Sequence, residues 1–186
     1  VTDFDSHYML GLSATPFRRD NLTKLIFWHL GDLHHKVDQR RLMASGDVLS
    51  AEVIVRETDF KPYFDPVNEY SKMMSELTAN DQRNHLIAAD IALEAGSNPG
   101  ICLVLSDRKK HCESLQALLR YRFKISCELL TGDLSMVQRQ AVLDRLNQGD
   151  VKVLLATGQL IGEGFDRQDL SPLFLATPIK FSGRVI

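Results

Sequence analysis

The stretch Ala156-Thr157-Gly158-Gln159-Leu160-Ile161-Gly162-Glu163-Gly164-Phe165-Asp166 sets three glycines and two acids within ten residues, directly after an apolar run. Glycine lets a backbone approach a ligand closely or take a positive φ, and a nearby carboxylate accepts from a ribose hydroxyl. The stretch therefore suits a sugar-phosphate ligand; the plainer alternative is a tight turn with caps. A dinucleotide site is a poor match, since Gly162-Glu163-Gly164 lacks the third glycine and the following helix that GxGxxG requires. Elsewhere the reactive residues read blandly. His34-His35 are adjacent and point different ways, His111-Cys112 have no converging third ligand, and Lys109-Lys110 beside Arg108 read as a solvated helix face. No metal site and no catalytic triad is expected.

The elements that must carry this stretch alternate. Ile101 to Leu105 and Val151 to Ala156 are short continuous apolar runs, as in strands buried on both faces. Ile125 to Leu130 and Leu173 to Ala176 also read as strands. Between them Asp107 to Arg122 has helical spacing at Leu115, Leu118 and Leu119. Ser135-Met136-Val137-Gln138 has capping-box spacing ahead of Val142, Leu143 and Leu146. Strands alternating with helices call for right-handed crossovers and an α/β fold, a parallel sheet with helices on both faces. Ligands of such sheets sit beyond the carboxyl ends of the strands. The places to examine are therefore Ser106-Asp107-Arg108, Thr131-Gly132-Asp133, Thr157 to Asp166, and Thr177-Pro178.

Upstream, Tyr8 to Leu12 reads as a strand ending at Pro16, and Leu22 to Leu30 as a helix between an Asn21 cap and Gly31. Ser50 to Phe60 alternates like a strand. Asp65-Pro66 opens a helix with Tyr70, Met73, Met74 and Leu77 inward. A second helix, Asp81 to Ala95, is expected to turn Leu86, Ile87, Ala89, Ile91 and Leu93 inward and to stop at Gly96.

Composition bounds the reading. The 186 residues are 44% hydrophobic and 25% charged, enough for one buried core. A net charge of -2 gives no basic footprint, which counts against a stand-alone DNA binder but not against a domain sharing its cleft. Cys102, Cys112 and Cys127 show no CxxC spacing and read as reduced core thiols. No apolar run is long enough for a membrane span and the start does not resemble a signal peptide, so a cytoplasmic setting is expected. A chain that opens on Val1 and closes on Gly183-Arg184-Val185-Ile186 within an apparent element reads as a fragment of a longer protein.

Together these stretches resemble the motifs of superfamily-two helicases. Ala156-Thr157 and Glu163-Gly164-Phe165-Asp166 look like motif V, and Gly11-Leu12-Ser13-Ala14-Thr15-Pro16 like the Ser-Ala-Thr motif III that ends the first motor domain. Cys102 to Ser106 resembles motif IV, and Leu130-Thr131-Gly132 followed by Arg139 the element after it. The order is that of the family, and DNA-repair or restriction-type helicase subunits look most similar. The resemblance implies a RecA-like second motor domain over residues 21–186, truncated before motif VI, preceded by the tail of the first RecA-like domain over residues 1–20.

By the same resemblance, Glu163, Gly164 and Asp166 face the nucleotide. Ser106, Arg108, Thr131, Gly132 and Thr157 lie towards the strand, while Ser13 and Thr15 couple ATP state to domain movement. Arg139 supports the fold near this face. Motif V runs one residue longer than the commoner pattern between Thr157 and Gly164, so either Thr157 or Gly158 meets the strand. ATP and magnesium are implied for the full-length protein, with DNA (or RNA) and an N-terminal RecA-like domain as partners and no membrane. The phosphate-cradling GxxxxGK[ST] loop is absent, and Gly183-Arg184 does not make motif VI, having neither the preceding glutamine nor a second arginine. The implied activity is half of an ATP-driven helicase or translocase, inactive by itself; the alternative is a binding or scaffolding module that keeps the fold without motor action.

Overall fold

The computed structural model describes residues 7–13, 16–17, 22–46, 51–157 and 169–178. By internal contacts the chain divides into two units, Val1–Arg56 and Glu57–Ile186.

The second unit holds the sheet. Four parallel strands, β1 (Ile101–Ser106), β2 (Cys127–Leu130), β3 (Val153–Thr157) and β4 (Leu170–Leu175), lie in the order β2-β3-β1-β4. All six residues of β1 are buried, as the unbroken apolar run requires of a central strand. Six helices occur among the described residues; α1 (Thr23–Leu30) and α2 (Gln39–Ser45) belong to the first unit, and α3 (Tyr70–Ala79), α4 (Asp81–Ser97), α5 (Lys109–Ala117) and α6 (Met136–Asn147) to the second. A π-helical turn, Leu118–Arg122, extends α5.

Helices cover both faces. On one, Ala88, Ile91 and Ala95 of α4 and Cys112 and Leu115 of α5 pack on Cys102, Val104, Cys127, Val153 and Leu155. On the other, Val142 and Leu146 of α6 pack on Leu103, Leu105, Leu130, Leu154 and Ala156. Each fully buried leucine here stabilises the fold by about 2 kcal/mol. The three cysteines are free and buried, as core thiols should be; burial pushes the Cys102 and Cys112 thiols up to about 11. The capping box is formed: Ser135 Oγ accepts from Gln138 N at 3.3 Å, and Gln138 Oε1 accepts from Ser135 N at 2.9 Å.

Glu128 carries a role that periodicity does not show. It is 8% exposed on the edge strand β2, where it accepts from Arg145 of α6 at 2.8 Å and Arg120 of the π-helical turn at 3.4 Å. Arg120 also donates to Cys127 O at 2.7 Å. An inward carboxylate pinned by two arginines helps protect an edge that could otherwise pair with another strand.

Several expectations need correction. Tyr8 to Leu12 forms no strand and is exposed, as are Val53, Ile54 and Val55 of the Ser50–Phe60 stretch, of which Ser50 lies outside the described residues. Alternation is not sufficient, because a strand without a neighbour leaves its backbone groups to water. Asp65 does not cap α3: its carboxylate accepts from Val67 N at 2.8 Å in a preceding turn, and the helix begins at Tyr70. On α4 the buried residues are Asn84, Ala88, Ile91 and Ala95, whereas Ala89 and Leu93 face outward and the helix runs on to Ser97. The inward face follows the i, i+4, i+7 spacing about a polar residue, Asn84, which apolar counting skips.

Among the described residues of the first unit none is buried. α1 spans nearly the expected range and closes on Gly31, and α2 closes on Gly46; both glycines have φ of 80°. The Asn21 cap lies outside the described residues.

Two glycines of the second unit make a sharp contrast. A Cβ on Gly100 would come within 2.8 Å of both Asp169 O and Ser171 O, at the start of β4, whereas one on Gly132 would meet nothing within 4 Å. Gly100→Ala is expected to destabilise the domain by about 1–3 kcal/mol through overpacking against backbone. Gly132→Ala should stay within about 0.5 kcal/mol of the parent. Urea titration of both variants checks this; equal losses would contradict the packing at Gly100.

Candidate nucleic-acid interface at the carboxyl edge of the sheet

Because all four strands are parallel, their carboxyl ends share one rim. Ser106 of β1 is level with Thr157 of β3, and Leu130 of β2 is level with Ala156, so Thr131 follows beside Thr157. Ser106, Thr131 and Thr157 are thus brought onto one edge, where open α/β sheets bind ligands. Thr177 joins them from beyond β4: its hydroxyl accepts from Asp107 N at 2.8 Å, tying the β1 loop to the last strand. Lys109, at the start of α5, forms a close ion pair with Asp133 and lies 3.9 Å from Glu113. Asp133 raises the lysine's pKa and links the loops after β1 and β2, so the Lys109 charge is answered inside the protein.

The predicted residues differ in what they present. Gly132 is exposed and Thr157 partly so. Thr131 is 3% exposed and Ser106 is fully buried, its hydroxyl committed within the fold. Arg139 sits half-buried in the first turn of α6. Ser13 is exposed in the first unit. Thr15, Gly158, Glu163, Gly164 and Asp166 lie outside the described residues, so the nucleotide-facing part of the expectation has no geometry here.

Arg108 is the cation of the rim. Its main chain is held on both sides: the N–H donates to Ser106 Oγ at 3.2 Å, and the carbonyl accepts from His111 N at 3.1 Å and Cys112 N at 3.2 Å. One terminal nitrogen donates to Ser71 Oγ on α3 at 3.2 Å, while the buried Nε–H has no acceptor among the described residues. No carboxylate pairs with this guanidinium among the described residues. A guanidinium with no carboxylate paired to it among the described residues is suited to a phosphate oxygen.

Behind Ser106 lies a network that motif reading missed. Ser106 Oγ is 2.9 Å from His111 Nδ1, His111 Nε2 is 2.8 Å from Asn84 Oδ1, and Asn84 Nδ2 donates to Thr78 O at 2.9 Å. Burial, and then the Arg83 charge, lower the His111 pKa to about 4. Arg83 is itself half-buried: it donates to Ala176 O at 2.6 Å, its Nη1 has no acceptor among the described residues, and desolvation lowers its pKa. A sequence signal for His111 did exist. With Leu115 and Leu119 it falls at i, i+4, i+8, which faces it inward, and a buried histidine must have partners.

Among the described residues, no three histidine, cysteine or acidic side chains are grouped so as to hold a metal ion, and no helix is long and apolar enough to cross a membrane.

The sequence profile of the family described as "Helicase conserved C-terminal domain" matches residues 82–178, more than half of the chain. A protein of Invertebrate iridescent virus 6 that carries the name helicase 161L is 27% identical over 200 residues, which cover 96% of this chain and 42% of that protein. The chain thus spans less than half the length of this relative. Among solved structures, T4 UvsW superposes with a TM-score of 0.51 at 17% identity over 61% of this chain and 23% of UvsW, a likeness of fold. The C-terminal domain of the DEAD-box protein Dbp5 gives 0.46 at 19% identity, over 55% and 54% of the two chains. With its parallel α/β sheet of RecA-like type and the profile match across it, the chain belongs to the helicase conserved C-terminal domain family.

Proposed function

We propose that this chain is the C-terminal motor domain of an ATP-dependent DNA helicase or translocase, contributing half of an ATP cleft and part of a nucleic-acid track. The observation that carries the track is the shared rim: Ser106, Thr131 and Thr157 lie at the ends of neighbouring strands, and Arg108 follows in the loop after β1, with no carboxylate paired to its guanidinium among the described residues. In this reading Arg108 takes a strand phosphate, while Gly132 and Thr157 (or Gly158) offer backbone N–H and hydroxyl donors. Ser106 and Thr131, both buried, act by shaping the loops. Such contacts fix position on the strand and carry no base sequence.

The resemblance assigns Glu163, Gly164 and Asp166 to the nucleotide and Ser13 and Thr15 to coupling between domains. ATP with magnesium would supply the binding and hydrolysis energy that opens and closes the cleft. The sequence has no GK[ST] step, so an N-terminal RecA-like domain has to cradle the phosphates. Side chains of the first unit support a missing partner surface: Tyr8, Leu10, Leu12 and Trp28 are 74–94% exposed. A cytoplasmic setting completes the reading.

The chain alone is expected to bind single-stranded DNA weakly, because half a cleft neutralises few phosphates, and with a salt dependence set by those few contacts. With two or three contacts, affinity for oligothymidylate should fall about tenfold between 50 and 200 mM salt. Fluorescence anisotropy across a salt series measures it, with oligouridylate as the RNA arm. Affinity that stays flat with salt contradicts a phosphate track at this rim.

A further inference from the structure

We propose that His111 and Asn84 are positioning residues for strand binding: through the Ser106 hydroxyl they hold the turn that presents the Arg108 guanidinium to a phosphate. This rests on the reading of Arg108 given above. Hydrogen-bond accounting fixes each proton in the relay. Asn84 Nδ2 donates to Thr78 O, which leaves Oδ1 as the acceptor towards His111, so the imidazole carries its proton on Nε2. Nδ1 is then an acceptor that needs a donor, and the Ser106 O–H points at it across 2.9 Å in preference to Arg108 O, which lies farther off at 3.5 Å. With its proton so directed, Ser106 Oγ turns a lone pair to the Arg108 N–H at 3.2 Å. The chain runs from the end of α3 through α4 and α5 to the tip of β1, and each link sets the orientation of the next.

Serine, histidine and asparagine in this order resemble a nucleophile with its base, but the geometry gives them another task. Ser106 is fully buried and its oxygen already accepts from the backbone, so nothing reaches it for attack. What the relay fixes is the Arg108 turn, and there a cost is evident: the arginine's Nε–H is buried without an acceptor among the described residues. A side chain held in such a place needs a main chain that is over-determined around it. Two bonds to its carbonyl and one from its N–H provide that. Apolar side chains could fill the same volume, but they would not direct the turn.

The test is anisotropy of oligothymidylate on the full chain across a salt series, with folding of each variant checked by denaturant titration. Arg108→Gln should weaken binding about tenfold and reduce the slope of log affinity against log salt by about 0.7, one phosphate on a single strand. His111→Leu should weaken binding about fivefold and flatten the slope in the same direction, because the arginine is no longer aimed. Ser106→Ala, which only removes an oxygen, should do likewise and serves if the leucine variant fails to fold. The double variant Arg108→Gln/His111→Leu should bind no more weakly than Arg108→Gln alone. If His111→Leu and Ser106→Ala lose stability yet keep parental affinity and slope, or if losses in the double variant add, the positioning inference is overturned while the Arg108 contact stands. If Arg108→Gln changes nothing, the strand contact itself is wrong and the inference falls with it.

Discussion

The 186-residue chain by itself is expected to show no ATP hydrolysis above blank, with or without DNA. Phosphoryl transfer leaves little covalent work to the protein; catalysis comes from positioning and from charges that meet the transferred group. The sequence contains no phosphate-cradling lysine loop, and its single Gly-Arg step has neither the preceding glutamine nor a second arginine. An arginine supplied across a motor cleft is worth about a thousandfold or more in rate. Joined both to an N-terminal RecA-like domain and to a following segment that carries the motif VI arginines, the same residues should therefore turn over ATP at least about a thousandfold faster, with stimulation by single-stranded DNA. Steady phosphate release that follows the isolated chain through repeated purification would contradict the half-site reading. A joined protein that binds DNA but shows no stimulation would favour a scaffold with the fold of a motor.

Acid should destabilise the domain through His111. Its pKa is lowered from 6.5 to about 4, by burial first and the Arg83 charge second. The unfolded chain therefore takes up a proton at a higher pH than the folded one. The stability from a neutral His111 is fully present above about pH 6.5, falls as pH drops, and is lost once pH passes below about 4. A shift of that size corresponds to about 3 kcal/mol at most. Urea titrations of the parent and of His111→Gln at several pH values isolate this contribution, since carboxylates act alike in both. The parent should lose about 2–3 kcal/mol more than the variant between pH 7 and pH 4. Parallel losses would show that His111 is not held neutral by the fold. Arg83→Gln should shrink the difference by removing the nearby charge.

Both predictions draw on residues of unequal visibility in the sequence. The apolar runs at Ile101 and Val151 give β1 and β3 directly, because a strand buried on both faces has no polar side to confuse the pattern. The Ser135–Gln138 spacing gives the start of α6, because a capping box is a local interaction. The alternation at Val53 and Val55 misleads, since a strand depends on a neighbour that no local pattern supplies. Asn84 and His111 escape motif reading because they are 27 positions apart and become partners only when α4 and α5 lie side by side.

By itself the amino-acid order determined the class of fold, the parallel alternation, the loops at the carboxyl edge and the absence of a phosphate-cradling loop, all of which rest on near neighbours or periodicity. Tertiary structure decided which residues of that edge face outward: it buried the Ser106 hydroxyl, paired Lys109 with Asp133, and left Arg108 with no carboxylate partner among the described residues. The physical reason is that exposure and ion pairing are properties of distance in space. Packing of the helices on the sheet sets those distances, and residue spacing along the chain does not.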